Sequence, residues 1–185
     1  KAAYGAKALI DELHSALDPK AYRKAVALLA ESEFIDIFGV ENSLTPAMDL
    51  FTKRGYLGLT CRLNTDAYLQ QIGAGHLPHG AVAVAFSHSG SSADTVKALR
   101  LAKSHGAKTI AITNAIGAPL ASWADVTLLT GRDSHTIYGN AIFSRVADTA
   151  LVDMLYMGVI LSGYGRFSTA LDESGRMIRD RVFEN

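Results

Sequence analysis

Cysteine is almost absent from this chain: Cys61 is the only one among 185 residues. No internal disulfide can form, so the fold must rest on a buried core, and a reducing compartment is expected. Cys61 closes an apolar run and reads as a buried, inert thiol rather than a nucleophile. Excess charge of either sign is also missing, because 18 lysines and arginines balance 18 aspartates and glutamates. That balance gives no sign of direct contact with nucleic acid or of an acidic tail for a basic partner. The longest apolar stretch, around Met154 to Leu161, is too short to span a bilayer. The opening residues show no secretory-leader pattern, and a cytoplasmic location is expected. His76, His79, His88, His105 and His135 are scattered without ligand spacing, so neither a metal nor a cofactor is expected. No repeat, low-complexity tract or linker divides the chain.

What is present is apolar and periodic, with 49% hydrophobic residues. Leu9, Ile10, Leu13 and Leu17 recur at helical spacing over Ala2 to Ala16. Asp18-Pro19 then reads as an N-cap and first helical position, opening a second helix to about Ala30. These leading helices occupy residues 1–31. An αβα core is expected over 34–161 and a C-terminal helix over 167–183, all in one domain.

Within the core, short apolar runs alternate with helical patterns. Strands are expected at Phe34–Phe38, Tyr56–Cys61, Ala81–Phe86, Lys108–Thr113 and Val126–Leu129. Helices are expected from Thr45 to Arg54, stopped by Gly55, from Asn64–Asp66 to Ile72, and over Ser92–His105. A long, largely buried helix is expected over Asn140–Leu161. This alternation implies an α/β fold, a doubly wound parallel sheet covered by helices on both faces. Ligands of such sheets bind outside the carboxyl ends of the strands. The turns Gly39–Ser43, Ser87–Ser92 and Thr113-Asn114 all lie at that edge.

The run Ser87-His88-Ser89-Gly90-Ser91-Ser92 is the most informative of the three. It joins the strand Ala81–Phe86 to a helix. The first N–H groups of a helix lack partners and its dipole favours an anion. Serine hydroxyls add donors for the same oxygens, and glycine lets the backbone come close. A simple N-cap would need one hydroxyl, and this turn has four serines. Ser43 precedes Thr45-Pro46 and reads as a second contact or as plain turn chemistry.

These residues carry a resemblance. Ala83 to Ser92, continued by Ala102-Lys103, Gly106-Ala107 and Ala111-Ile112-Thr113, resembles the sugar isomerase (SIS) domain, with its S-x-S-G-x-[ST] turn. Pro119 to Val126 is similar to that family's segment before its last strand. Within the family the chain looks most like the effector-binding domain of RpiR-type transcriptional regulators. The resemblance rests on the two leading helices, on Gly39, Ser43, Asp49, Lys53 and Gly55, and on Ser144-Arg145. It implies a three-layer, five-stranded parallel sheet. It also implies a phosphorylated sugar or sugar acid as ligand, a homodimer, and DNA contact only through an upstream helix-turn-helix domain missing from this sequence. By the same resemblance Ser43, Ser87, Ser89 and Ser92 contact the phosphate, with His88 between two of them. Glu41 stands where the regulators usually have a second glycine. It either points away or accepts from sugar hydroxyls or an amino group.

The alternative is an aldose–ketose phosphosugar isomerase, which needs a base near the sugar. Isomerase relatives place a glutamate near the start of the long late helix. The corresponding Thr136–Asn140 carries no acid, which leaves Asp133, His135 and Glu41 as candidates, so no catalytic residue is assigned. A nucleotide- or flavin-binding sheet is disfavoured, because the first turn lacks G-x-G-x-x-G and no lysine-bearing phosphate loop is present. Arg145 needs a partner on its apolar helix. Asp148, Asp153 or the ligand would serve, and a structural pairing is preferred. Trp123 reads as a packing residue. Asp172, Glu173, Arg176, Asp180 and Arg181 read as a solvated ion-pair face.

Overall fold

A computed structural model of the chain describes residues 2–132 and 144–179. Two helices lead, α1 (Ala2–Ala16) and α2 (Pro19–Glu31). Asp18 caps α2 as its sequence requires, accepting from the backbone N–H groups of Lys20 at 2.9 Å and Ala21 at 3.4 Å. Then follow β1 (Ile35–Phe38), a 3₁₀ turn (Glu41–Ser43), α3 (Leu44–Tyr56), β2 (Cys61–Leu63) and α4 (Ala67–Ala74). The second half holds β3 (Val82–Phe86), α5 (Ala93–Ser104), β4 (Lys108–Thr113), a 3₁₀ turn (Ala121–Trp123) and β5 (Val126–Leu129). Two more helices, α6 (Val146–Ser162) and α7 (Tyr164–Met177), close the chain.

The five strands are ordered β2-β1-β3-β4-β5, and every neighbouring pair is parallel. The expected three-layer, doubly wound α/β fold is therefore present. From β1 the chain moves outward to β2, then crosses back to β3 on β1's other side. The loops after β1 and β3 diverge there, and this reversal is where doubly wound sheets leave a crevice.

The strands alternate two kinds of side chain, which gives the faces different thickness. Val82, Val84 and Phe86 of β3 join Ile35, Ile37, Ile110, Ile112, Val126 and Leu128 in the larger core. That core is filled from the helical side by Leu13, Leu29, Leu50, Leu151, Leu155 and Val159. Each such buried aliphatic side chain is worth about 1.5–3 kcal/mol over its exposed state. On the other face Ala83, Ala85 and Ala111 meet Ala74, Ala98, Leu99 and Ala102. Small residues on both sides let α5 lie close to the sheet.

Helix α6 is apolar nearly all round, yet only one side is covered. Leu151, Val152, Leu155 and Val159 are buried, while Met157 is 49% and Leu161 68% exposed. The Tyr22 hydroxyl donates to the Met154 carbonyl at 2.6 Å and ties α2 across it.

Several boundaries differ from the sequence expectation. Gly55 lies inside α3 rather than stopping it. Gly58, at φ +66°, makes the reversal, and Leu59 N–H returns to Arg54 O at 3.1 Å. The apolar Leu57 and Leu59 belong to that turn, so β2 is Cys61–Leu63 and not Tyr56–Cys61. Because Cys61 opens this outer strand it is half-buried rather than fully buried, and burial still pushes its thiol up. Helix α7 begins at Tyr164, ahead of Phe167, because Gly163 breaks α6 and Phe167 N–H bonds back to Gly163 O. Trp123 is 37% exposed, with the Arg100 guanidinium 5.8 Å over its ring. Asp172, Glu173 and Arg176 are exposed but form no ion pair among the described residues. The expected helix start at Asn140, together with Asp180 and Arg181, falls outside the described residues.

Candidate functional site

The turns after β1 and β3 face one another across the crevice at the strand reversal. After Phe38 the chain is held by Gln70, which is 1% exposed. Its side chain accepts from Gly39 N–H at 3.2 Å and donates to the carbonyls of Gly39 at 2.7 Å and Asn64 at 2.8 Å. One buried amide thus fixes the first turn against α4. The backbone then passes through Glu41 at φ +52°, the one non-glycine residue with positive φ among those described. Ser43 follows at the head of α3. It is 8% exposed, and its side chain makes no capping bond.

The second turn is held by the neighbouring strand. Ser87 N–H donates to Ile112 O, Asn114 N–H and Thr113 Oγ1 donate to His88 O, and Leu120 N–H donates to Gly90 O. Gly90 has φ +61°, and a Cβ there would run into Ala118 Cβ and stand 2.8 Å from Thr113 Oγ1. Only glycine satisfies both the angle and the space. Ser91 spends its groups locally, its N–H donating to Ser89 Oγ and its hydroxyl to Ser89 O. Ser92 sits at the N-cap of α5 in extended backbone, but its hydroxyl caps nothing and instead accepts from Thr95 Oγ1 at 3.4 Å. The cap geometry is present without the cap bond, which leaves the first N–H groups of α5 open.

Charge enters from α6 and α5. Arg145 stands at the N-cap of α6 with its side chain 10% exposed. Its Nη1 donates to Ser144 O, and its Nε makes no hydrogen bond among the described residues. Asp148, 6% exposed, lies behind it. Burial pushes the Asp148 carboxyl up, against the opposing pull of Thr130, His88 and Arg145. Asp94, in the first turn of α5, accepts from Gln71 Nε2 at 3.2 Å.

Together these residues enclose a cleft of about 480 Å³ lined by Glu41, Asn42, Ser43, Ser87, His88, Ser89, Ser92, Asp94 and Arg145. All six residues singled out in the sequence, Glu41, Ser43, Ser87, His88, Ser89 and Ser92, are brought to it. Arg145 pairs with Asp148, as preferred from the sequence, and also faces the cleft. Asp94 and the positioning residue Gln70 were not anticipated. A helix-starting acid is ordinary dipole compensation, and an isolated glutamine carries no signal. Thr113 and Asn114 hold His88 in place, Asn114 Nδ2 lying 3.4 Å from its Nε2. Asp133, His135 and Thr136–Asn140 lie outside the described residues. Among the described residues no three histidine, cysteine or acidic side chains converge as a metal site. No single described helix is long and apolar enough to cross a membrane.

The SIS domain family matches residues 63–158. An uncharacterized HTH-type transcriptional regulator of Caldanaerobacter subterraneus is 30% identical over 97% of this chain and 64% of its own length. The HTH-type transcriptional regulator HexR of Escherichia coli is 28% identical over 97% of this chain and 62% of its own. The chain thus spans less than two thirds of these relatives. Among solved structures, the Vibrio vulnificus NanR protein complexed with ManNAc-6P superposes with a TM-score of 0.91 at 24% identity, covering 98% of this chain and 69% of that one. The sugar isomerase domain of the RpiR transcription factor from Sphaerobacter thermophilus gives 0.83 at 22% identity, covering 94% and 95%. At such identities the two structures share the fold, while the family match runs through β3, the serine turn and most of α6. The chain belongs to the SIS domain family, and the curated relatives named above are HTH-type transcriptional regulators.

Proposed function

We propose that this chain is the effector-sensing domain of an RpiR-type regulator of sugar metabolism, and that its cleft binds a phosphorylated sugar. One observation carries the reading. Two serine-bearing turns meet at the heads of α3 and α5, the first N–H groups of α5 are open, and neither Ser43 nor Ser92 spends its side chain on capping. Hydroxyls that line one cleft beside the open N–H groups of α5 suit the oxygens of a phosphate. In this reading Ser43, Ser87, Ser89 and Ser92 hold the phosphate, and His88 and Glu41 meet the sugar. Arg145 supplies positive charge. The related NanR structure contains ManNAc-6P, which supports a phosphosugar as the ligand class.

The domain acts as a homodimer in this reading. Ile10, Leu13, Leu17, Tyr22, Ala150 and Met154 line an apolar groove beside the bare face of α6, and a second copy covers it. Effector binding favours one dimer arrangement, and DNA affinity changes in an attached helix-turn-helix domain. Coupling of about 1–3 kcal/mol is enough for that. The role implies a cytoplasmic protein.

The test is thermal unfolding of the chain with a panel of sugar phosphates, since a ligand bound only to the folded state raises the apparent Tm. A rise of several degrees is expected, and it disappears in Ser87→Ala and Ser89→Ala. An unchanged rise in both variants overturns the assignment. Glu41 and Asp94 put carboxylates in the cleft, so turnover is assayed on the same panel. Isomerisation that is lost on Glu41→Gln replaces the sensor with an enzyme.

A further inference from the structure

Among the described residues, the cleft holds more negative charge than a phosphate pocket needs. Its lining includes two carboxylates, Glu41 and Asp94, and one permanent cation, Arg145. A ligand whose only charge is a phosphate dianion meets net repulsion outside the serine turn. Asp94 is already engaged by Gln71. Glu41 accepts no hydrogen bond among the described residues, and it occupies a left-handed backbone position that glycine would hold without strain. The opposite pole is equally specific. Arg145 is nine-tenths buried, faces the cleft and, among the described residues, keeps its Nε without a hydrogen bond. The cleft therefore offers an anion pole, made of Arg145 and the serine turn, and a carboxylate at its rim on the other turn. A ligand that carries both charges satisfies both.

We propose that Glu41 selects a phosphorylated amino sugar, accepting a hydrogen bond from the ammonium group of a ligand whose phosphate lies on the Ser87–Ser92 turn. This rests on the phosphosugar reading above and narrows it to a class. A charge-assisted bond from an ammonium to a partly exposed carboxylate distinguishes amine from hydroxyl by on the order of tenfold in affinity. N-acetylation removes the charge and the preference with it.

Calorimetric titration of the chain with glucosamine 6-phosphate, glucose 6-phosphate and N-acetylglucosamine 6-phosphate tests the proposal. Glucosamine 6-phosphate is expected to bind about tenfold tighter than either of the others. In Glu41→Gln the three affinities fall within about twofold of one another. Glu41→Gly relieves the backbone and removes the carboxylate, so it loses the preference while unfolding at a higher temperature. Glucose 6-phosphate binding as tightly as the amine, or a preference that persists in both variants, overturns the proposal and leaves the phosphosugar reading standing. If no sugar phosphate binds and Ser87→Ala changes nothing, the underlying reading falls and this proposal with it.

Discussion

At the head of α6 the Arg145 guanidinium lies 3.8 Å from the Asp148 carboxylate, one turn along the same helix, yet Arg145 Nε donates no hydrogen bond among the described residues. The pair is close enough to feel charge and too far apart to saturate the donor. Burial lowers the Arg145 pKa below its ordinary value and Asp148 pulls it back. A cation held this way has a donor left for an incoming anion.

Arg145→Ala is accordingly expected to weaken binding of any sugar phosphate by about 10–100-fold, the size of one or two charge-assisted hydrogen bonds. Arg145→Lys keeps the charge and recovers part of the loss. Asp148→Asn removes the competing carboxylate and tightens binding. Isothermal titration on the three variants reads all of this. Unchanged binding in Arg145→Ala would show that the arginine serves the fold alone.

Gly90→Ala places a methyl group against Ala118 and Thr113 at a left-handed backbone angle. The expected loss is about 1–3 kcal/mol of stability, measured by urea unfolding. Ligand-induced stabilisation disappears as the turn shifts. Adding Ala118→Gly relieves the nearest contact and restores part of the stability, but not the backbone strain.

Asp125 gives an acid-range prediction. Its carboxylate accepts from Thr109 N–H at 2.9 Å and Thr109 Oγ1 at 3.1 Å and pairs with Lys103. Burial pulls this carboxyl up, but Lys103 and Thr109 together outweigh it and hold it below the ordinary value of 3.8. The folded carboxyl is more acidic than the unfolded one, so its contribution is complete above pH 3.8 and fades as the pH falls through the folded value. Asp125→Asn is expected to cost about 1–3 kcal/mol at neutral pH. Stability curves of wild type and variant converge as the pH falls below 3.8. Curves that stay parallel through that range would contradict the assignment.

Arg54 is 3% exposed and donates to the carbonyls of Leu29 at 2.5 Å, Thr60 at 3.3 Å and Ser32 at 3.4 Å. It joins the end of α2, the end of α3 and the entry to β2, and burial lowers its pKa to about 10. Arg54→Ala leaves those acceptors buried and opens a void. The expected loss is about 2–4 kcal/mol, seen as a lower denaturant midpoint. Binding at the cleft, on the far edge of the sheet, is retained while the protein is folded.

How much of this was legible in advance follows from what each residue does. β1 and β3 are buried along their whole length, so their apolar runs name them directly. The serine turn was legible because its residue types have one shared use at a helix start. β2 was misplaced because Leu57 and Leu59 are apolar for a turn packed on the core, and apolarity alone does not separate a strand from a buried turn. The pairing of Arg62 on β2 with the buried Asp36 on β1, at 2.6 Å and 3.0 Å, left no local trace, since the partners are 26 residues apart. Gln70 escaped for the same reason. Its importance comes from a turn 31 residues earlier that folds back onto it.

Helix α6 has one more consequence. Its 17 residues make a rod about 25 Å long. Arg145 and Asp148 mark the end at the cleft, and the bare side chains of Met157 and Leu161 mark the other. Gly158, close to that second end, lets Tyr22 and Val26 press against the backbone, where any larger residue would push them off. A rod held there pivots near one end. A tilt of about 5° about Gly158 moves the cleft end, about 20 Å away, by about 2 Å, given the helical rise. A shift too small to see where α2 meets α6 becomes a displacement at Arg145.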